Sequence, residues 1–251
     1  MKKEHFLLPL LVILIWQGFS SLHVIPSYKL PSPVEIILGF KDLLIVGVPP
    51  GNLLHNHTLY SLYRVALGYA IAALLAIPLG LLMGWSPPLL RMTRSLFEVV
   101  RPIPPLAWIP IAILWFGIGI KSAAFIIFLG AFFPILLNTI SGVLSIHPIL
   151  LEAARTLHAK EKDIFLKVLL PGAVPSIFVG MRIGIGIGWM TLVAAEFTGV
   201  KEGYGLGYMI MTARDIQRPD EILAGMLVIG LIGLLIDIGL RTVESRMIRW
   251  R

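Results

Sequence analysis

Residues 65–85 read VALGYAIAALLAIPLGLLMGW, a stretch without a single charged side chain that stops at Ser86-Pro87-Pro88. A helix rises 1.5 Å per residue, so about 20 apolar residues match the hydrocarbon thickness of a bilayer. Working outward, comparable apolar runs lie at 6–19, 96–118, 122–146, 174–197 and 222–240. With 57% hydrophobic and 14% charged residues, the chain departs far from the roughly 25% charged residues of soluble domains. These runs predict an all-α integral membrane protein with about six transmembrane helices, one membrane domain and little left over for a soluble one.

Two of the runs carry an ambiguity. Residues 6–19 follow Lys2 and Lys3, as the apolar core of a secretory signal does. No small-residue cleavage pattern of the A-x-A kind follows and more spans come later, so the run is read as a retained first helix. Residues 96–118 contain Pro102, Pro104, Pro105 and Pro110, which predicts a span that kinks or partly unwinds. Between the first two runs the chain is mixed and proline-rich, with Pro33 placed to open a short amphipathic helix through Leu44. The expected division is an N-terminal helix with an extracytoplasmic segment over 1–54, then a five-helix core over 55–251.

Charge and motifs exclude several classes. The net charge is +7, but the basic residues sit at the ends of apolar runs, where orientation rules place them, and do not form a nucleic-acid patch. The chain has no cysteine, so disulfides, thiolate nucleophiles and cysteine-ligated metals are ruled out. His55 and His57 share a loop without further ligands, and no metal is expected. H-E-x-x-H, G-x-S-x-G and paired intramembrane aspartates are absent from the sequence, which disfavours an intramembrane enzyme. So is the G-x-x-x-x-G-K-[ST] phosphate loop, so any ATP-derived energy must come from another chain.

With both termini inside, the cytoplasmic side receives Lys2, Lys3, Arg91, Arg94, Arg155, Lys160, Lys162, Lys167, Arg241, Arg246, Arg249 and Arg251. The opposite side receives Lys29, Lys41, Arg64, Lys121, Lys201, Arg214 and Arg218. Twelve against seven puts the loop between the fourth and fifth runs in the cytoplasm. That loop, about 147–172, is far longer than a connection between spans requires. It holds Leu151-Glu152-Ala153-Ala154-Arg155-Thr156-Leu157-His158-Ala159 and, further on, Val168-Leu169-Leu170-Pro171. Two short helical pieces meeting near His158 are expected there, and they form a water-facing surface on which the small Ala153-Ala154 pair lets another backbone approach.

This segment resembles the EAA loop of ABC importer permeases, whose pattern is Glu-Ala-Ala, a glycine, and a closing Ile-x-Leu-Pro. In this chain Glu152-Ala153-Ala154 supplies the triplet, His158 stands in the glycine's place, and Val168-Leu169-Leu170-Pro171 closes the pattern. Histidine is less suited to a left-handed turn than glycine but tolerates it better than most residues. Further stretches are similar to the nitrate, sulfonate, taurine and bicarbonate importers: Arg101-Pro102-Ile103-Pro104-Pro105-Leu106-Ala107-Trp108-Ile109-Pro110, Leu114-Trp115-Phe116-Gly117-Ile118-Gly119, Leu192-Val193-Ala194-Ala195-Glu196 and Gly205-Leu206-Gly207-Tyr208.

The resemblance implies a multi-pass permease of the bacterial inner membrane that pairs with a second copy of itself. Two ATPase subunits binding ATP and magnesium would engage it, and an extracytoplasmic binding protein would deliver a small oxyanion; a small organic molecule or vitamin precursor is the alternative solute. It also implies that Glu152, Ala153, Ala154, Leu157, His158, Ala159, Val168, Leu170 and Pro171 couple the permease to its ATPase.

Candidates for a translocation pathway are Pro104, Trp108, Arg182, Trp189, Thr191 and Glu196, because ionisable groups and irregular backbone at membrane depth mark functional positions. Arg182 is the deep cation most attractive for an anion, and Glu196 is a gate, a binding-protein contact or a snorkelling interfacial carboxylate. Glu98 with Arg101, and Asp237 with Arg241, have the spacing of helical ion pairs. Gly180, Gly184 and Gly188 recur every four residues, a small-xxx-small face for close helix packing.

Overall fold

The computed structural model describes residues 4–22, 26–198, 200 and 202–247, and every regular element within them is helical. In chain order these are α1 (Glu4–Ser21), α2 (Pro33–Ile45), α3 (Leu54–Trp85), α4 (Pro87–Val100), a 3-10 turn (Pro105–Trp108), α5 (Ile109–Phe116) and α6 (Ile120–Leu144). Then come α7 (Pro148–Thr156), α8 (Glu161–Ile164), a π-helical segment (Phe165–Leu169), α9 (Leu170–Phe197), α10 (Leu206–Asp215) and α11 (Pro219–Met247). Four stretches are long and apolar enough to cross a membrane: Leu54–Trp85, Ile120–Leu144, Glu161–Phe197 and Pro219–Met247. Large apolar side chains stand on their outer surfaces, among them Leu74, Met190 and Leu227. In water such faces would be a liability; against lipid tails they need no protein partner.

The run at 96–118 unwinds at its prolines. α4 ends at Val100 and the chain resumes as the 3-10 turn and α5, the two arms bent by 79°. Pro102, Pro104 and Pro105 bring no N–H to three of four consecutive positions, so the helical ladder cannot continue across them, and of the expected kink or unwinding it is the unwinding that occurs. α4 buries no residue at all.

The described chain divides into two compact units, residues 63–195 with 233–251 and residues 1–62 with 196–232. In the larger unit α6 is the axis, burying thirteen residues, Ala131, Ile135 and Leu136 completely. Small residues bring it close to a helix on either side. A Cβ on Gly68 of α3 would lie 2.5 Å from the Ala124 carbonyl oxygen, one on Gly80 2.7 Å from Thr139 Cβ, and one on Gly84 2.6 Å from Val143 Cβ. On the other side a Cβ on Gly180 of α9 would meet Asn138 Cβ at 2.7 Å, and one on Gly184 the Ala131 carbonyl oxygen at 3.0 Å. Gly188 has more room, its nearest neighbour being Ile127 Cγ2 at 3.2 Å. Lipid gives helices no hydrophobic reason to associate, so contact area gained by close approach must hold them together.

In the smaller unit α2 begins with a reciprocal cap. The Glu35 N–H donates to Ser32 Oγ at 3.1 Å, and the Ser32 N–H donates to Glu35 Oε2 at 2.6 Å, with Pro33 at the first helical position. This satisfies two orphan donors and starts the short helix where the sequence placed it. Gly39 lets α2 approach the backbone of Asp220, 2.8 Å from a notional Cβ.

Replacing Gly68 by alanine forces a methyl against backbone and is expected to cost about 1–3 kcal/mol. Gly186→Ala, where nothing lies within 4 Å, gains helix propensity instead. The melting temperatures of the two variants in detergent, the first lowered and the second unchanged or raised, check this.

Candidate functional site: the loop helix, the helix break and a buried carboxylate

The loop expected to carry two helical pieces has them. α7 begins at Pro148 behind His147, whose Nδ1 accepts from the Ile149 N–H at 3.3 Å, and it buries none of its residues. It ends in a left-handed turn at His158, φ +58°. The His158 N–H donates to the Arg155 carbonyl at 2.9 Å and the Ala159 N–H to the Ala154 carbonyl at 3.0 Å. These paired bonds are a Schellman cap in which histidine takes the place glycine usually fills. Arg155 Nε reaches Glu161 Oε1 at 3.1 Å and bridges α7 to the start of α8. The pieces stand out with Glu152 and Ala153 exposed and Leu157 82% exposed. Val168 and Leu170 are half-buried, and Leu169 is buried where the segment joins the membrane bundle.

The six pathway candidates do not converge. Trp108 lines a hollow of about 400 Å³ at the helix break, together with Arg101, Pro105, Phe133, Asn138 and Ile187. Pro104 lies in the break itself. Arg182 is not a lone cation: its Nη1 is 3.3 Å from Glu244 Oε2, and both side chains are part-exposed. Trp189 is buried, its indole nitrogen 3.2 Å from where a Cβ on Gly233 would stand. Thr191 donates its hydroxyl hydrogen to the Gly188 carbonyl at 2.9 Å. Of the two expected ion pairs, Asp237 and Arg241 form theirs at 2.8 Å, whereas Glu98 pairs with Arg94 at 2.6 Å and not with Arg101. Both partners are available at helical spacing, and an i,i+4 pair within α4 is geometrically intact while Arg101 sits beyond the helix end.

Glu196 does not snorkel to a surface. It is fully buried in the smaller unit. Its oxygens accept the Ser61 hydroxyl at 2.8 and 3.0 Å, and Oε2 also accepts the Gly207 N–H at 2.9 Å. Ser61 Oγ in turn accepts the Leu206 N–H at 2.9 Å. A Cβ on Gly205 would fall 2.7 Å from the carboxylate carbon, so only glycine lets the chain pass so closely. His57, read from sequence as a weak metal ligand, is buried beside this loop. Its Nδ1 accepts the Gly205 N–H at 3.0 Å and its Nε2 lies 3.2 Å from the Asn52 carbonyl. The Gly205 carbonyl oxygen is also 3.0 Å from Nδ1, so both ring nitrogens face polar backbone. The apolar run ending at Glu196 hid this network, because Ser61 lies 135 residues away and Gly207 belongs to the next helix. The signal was the polar trio His57, Ser61 and Glu196 flanking apolar runs, together with Gly205-x-Gly207.

Among the described residues one trio has carboxylate oxygens within 4.8 Å of one another: Asp42, Asp220 and Glu221. Its centre already holds a cation. Arg218 Nη2 stands 2.8 Å from Asp42, 2.9 Å from Asp220 and 3.0 Å from Glu221. Hydrogen bonds to Asp220 and then Asp42 push the guanidinium further above its already high ordinary value, so it remains charged at every physiological pH.

Ser61→Ala removes both a donor to a buried carboxylate and an acceptor for the Leu206 N–H, an expected loss of about 1–3 kcal/mol. Lys29→Ala, at the solvent-facing start of the unit, is expected to leave stability unchanged. Thermal unfolding in detergent distinguishes the two.

Comparison with known proteins agrees with this architecture. Residues 76–249 match the family described as binding-protein-dependent transport system inner membrane component. A putative ABC transporter permease of Methanocaldococcus jannaschii is 45% identical over 97% of this chain and 90% of its own. The taurine transport system permease of Escherichia coli is 36% identical over 95% of this chain and 86% of its own. The bicarbonate transport system permease of Synechococcus elongatus is 38% identical over 94% and 87%. Among solved structures, an inward-facing methionine ABC transporter matches with a TM-score of 0.66 at 21% identity, covering 77% of this chain and 95% of that one. The chain belongs to the family of binding-protein-dependent transport system inner membrane components: it is the non-catalytic, multi-pass permease subunit of an ABC importer.

Proposed function

We propose that this permease passes a small oxyanion across the membrane by alternating access, driven by a separate ATPase that grips the segment Glu152–Pro171. The observation that carries the reading is α7, which buries nothing and presents Glu152, Ala153 and Leu157 outward behind a rigid left-handed cap at His158. An exposed helix with apolar side chains on it gains stability only when a partner covers them. The short connection through α8 and the π-helical segment into α9 means that a displacement of α7 reaches a membrane-crossing helix without a flexible linker. Two copies of the chain, each seated on its own ATPase, would then rock as near-rigid bodies between outward and inward states. The oxyanion is supported by relatives named for taurine, aliphatic sulfonates and bicarbonate. An extracytoplasmic binding protein delivering it is supported by the family's description as binding-protein-dependent.

Two measurements test this. Glu152→Lys and Ala154→Trp are each expected to abolish co-purification of the ATPase and to reduce uptake to background, while permease insertion persists. Intact association and uptake would refute the coupling role. The chain has no native cysteine, so a single cysteine at Lys160 reports orientation cleanly. An impermeant maleimide is expected to leave it unlabelled in intact cells and to label it after lysis.

A further inference from the structure

We propose that the break between α4 and α5 is a relay subsite for an organic anion, with Arg101 and Asn138 taking the charged head and the surrounding apolar wall taking a short tail. This rests on the reading that the chain passes small oxyanions. It names where in the subunit they pause and which of them fit best.

Three independent features meet at this place. First, the backbone is irregular within a pair of helices that together have the apolar character of a span. Without N–H groups at Pro102, Pro104 and Pro105, carbonyls of the preceding turn lose their usual donors. Such backbone is tolerated at membrane depth only where it is buried or lines a cavity. Second, a cavity is there. Its volume of about 400 Å³ falls within the range of small-molecule sites, and its walls come from the break, from α6 through Phe133 and Leu137, and from α9 through Ile183 and Ile187. Third, a cation is free to serve it. Glu98 is held by Arg94, and among the described residues the Arg101 guanidinium has no ion-pair partner. It is exposed at the cavity's edge. Asn138 adds an amide group whose NH2 carries two donors, one of them engaged by the Pro134 carbonyl at 2.8 Å and one left over.

The lining also selects. No carboxylate borders the hollow, so an ammonium group such as that of taurine finds no counter-charge. Apart from Arg101 and Asn138 the side chains are apolar, so an ion hydrated on every side, such as bicarbonate, surrenders water there without compensation. An alkanesulfonate presents one charged end to the guanidinium fork and buries its chain against Ile183, Ile187 and Phe133. Planar guanidinium donors suit three-oxygen heads of this kind.

The test uses the permease assembled with its ATPase in lipid nanodiscs and radiolabelled butanesulfonate in equilibrium dialysis. Arg101→Gln is expected to weaken binding by about tenfold or more and Arg101→Lys to recover part of it. Bicarbonate is expected to displace the label poorly and hexanesulfonate well. Equal binding by wild type and Arg101→Gln, equal displacement by bicarbonate, or absence of binding to wild type would each overturn the subsite. If Arg101→Gln does not assemble, Ile187→Phe decides by shrinking the tail region: a larger loss for hexanesulfonate than for ethanesulfonate supports the assignment, and an equal loss overturns it. Uptake by the complete wild-type importer is measured in parallel. Uptake without a subsite leaves the oxyanion permease standing, whereas failure to take up any oxyanion removes that reading itself.

Discussion

The larger unit depends on the close approach of α3 and α9 to α6. Each meets α6 through positions where even a methyl group would collide: Gly68, Gly80 and Gly84 on one side, Gly180 and Gly184 on the other. In a bilayer the hydrophobic effect does not draw one apolar helix to another, so dispersion across a tight contact and shape fit supply the cohesion. This explains why α6 is mostly buried while its neighbours present leucine and methionine to lipid. It also explains the proline-bearing helices, since Pro78, Pro134 and Pro175 lie inside α3, α6 and α9. A membrane helix tolerates an internal proline because packing against its neighbours and small local adjustments re-satisfy the freed carbonyl.

A bundle held this way leaves its irregular segments to do the work. The break between α4 and α5 opens a hollow where prolines keep the backbone from being helical, and Arg101 stands at its edge because α4 has already ended. The loop segment is irregular in a different sense. His158 adopts a left-handed conformation that a side chain seldom takes, and the strain is tolerated because two backbone hydrogen bonds and the Arg155–Glu161 pair hold the turn. A turn of defined shape fixes how α7 meets α8.

The smaller unit shows the opposite economy. There a buried carboxylate, Glu196, replaces apolar packing as the organising element, and a serine hydroxyl with backbone N–H groups surrounds it. A carboxylate is stable in such a place only when its oxygens are saturated with donors. Gly205 is there because the chain must pass within hydrogen-bonding distance of it. The neighbouring His57 ring fixes the same loop from another side.

Apolar runs of spanning length, the prolines and the basic residues at run ends sufficed, without coordinates, for an all-helical membrane protein, for the approximate positions of its helices and for the two-piece loop around His158. Those properties depend on local sequence and on the thickness of the solvent, so they are written in order along the chain. Which arginine has a partner is another kind of question. Arg182 looked solitary and is paired with Glu244, while Arg101 looked paired and is not, because each outcome depends on where a helix ends and which neighbour faces it. Glu196 looked interfacial and is buried, its partners Ser61 and Gly207 supplied by segments brought together only on folding. Pairing and burial are decided by three-dimensional proximity, and proximity across sixty or a hundred residues has no local signature.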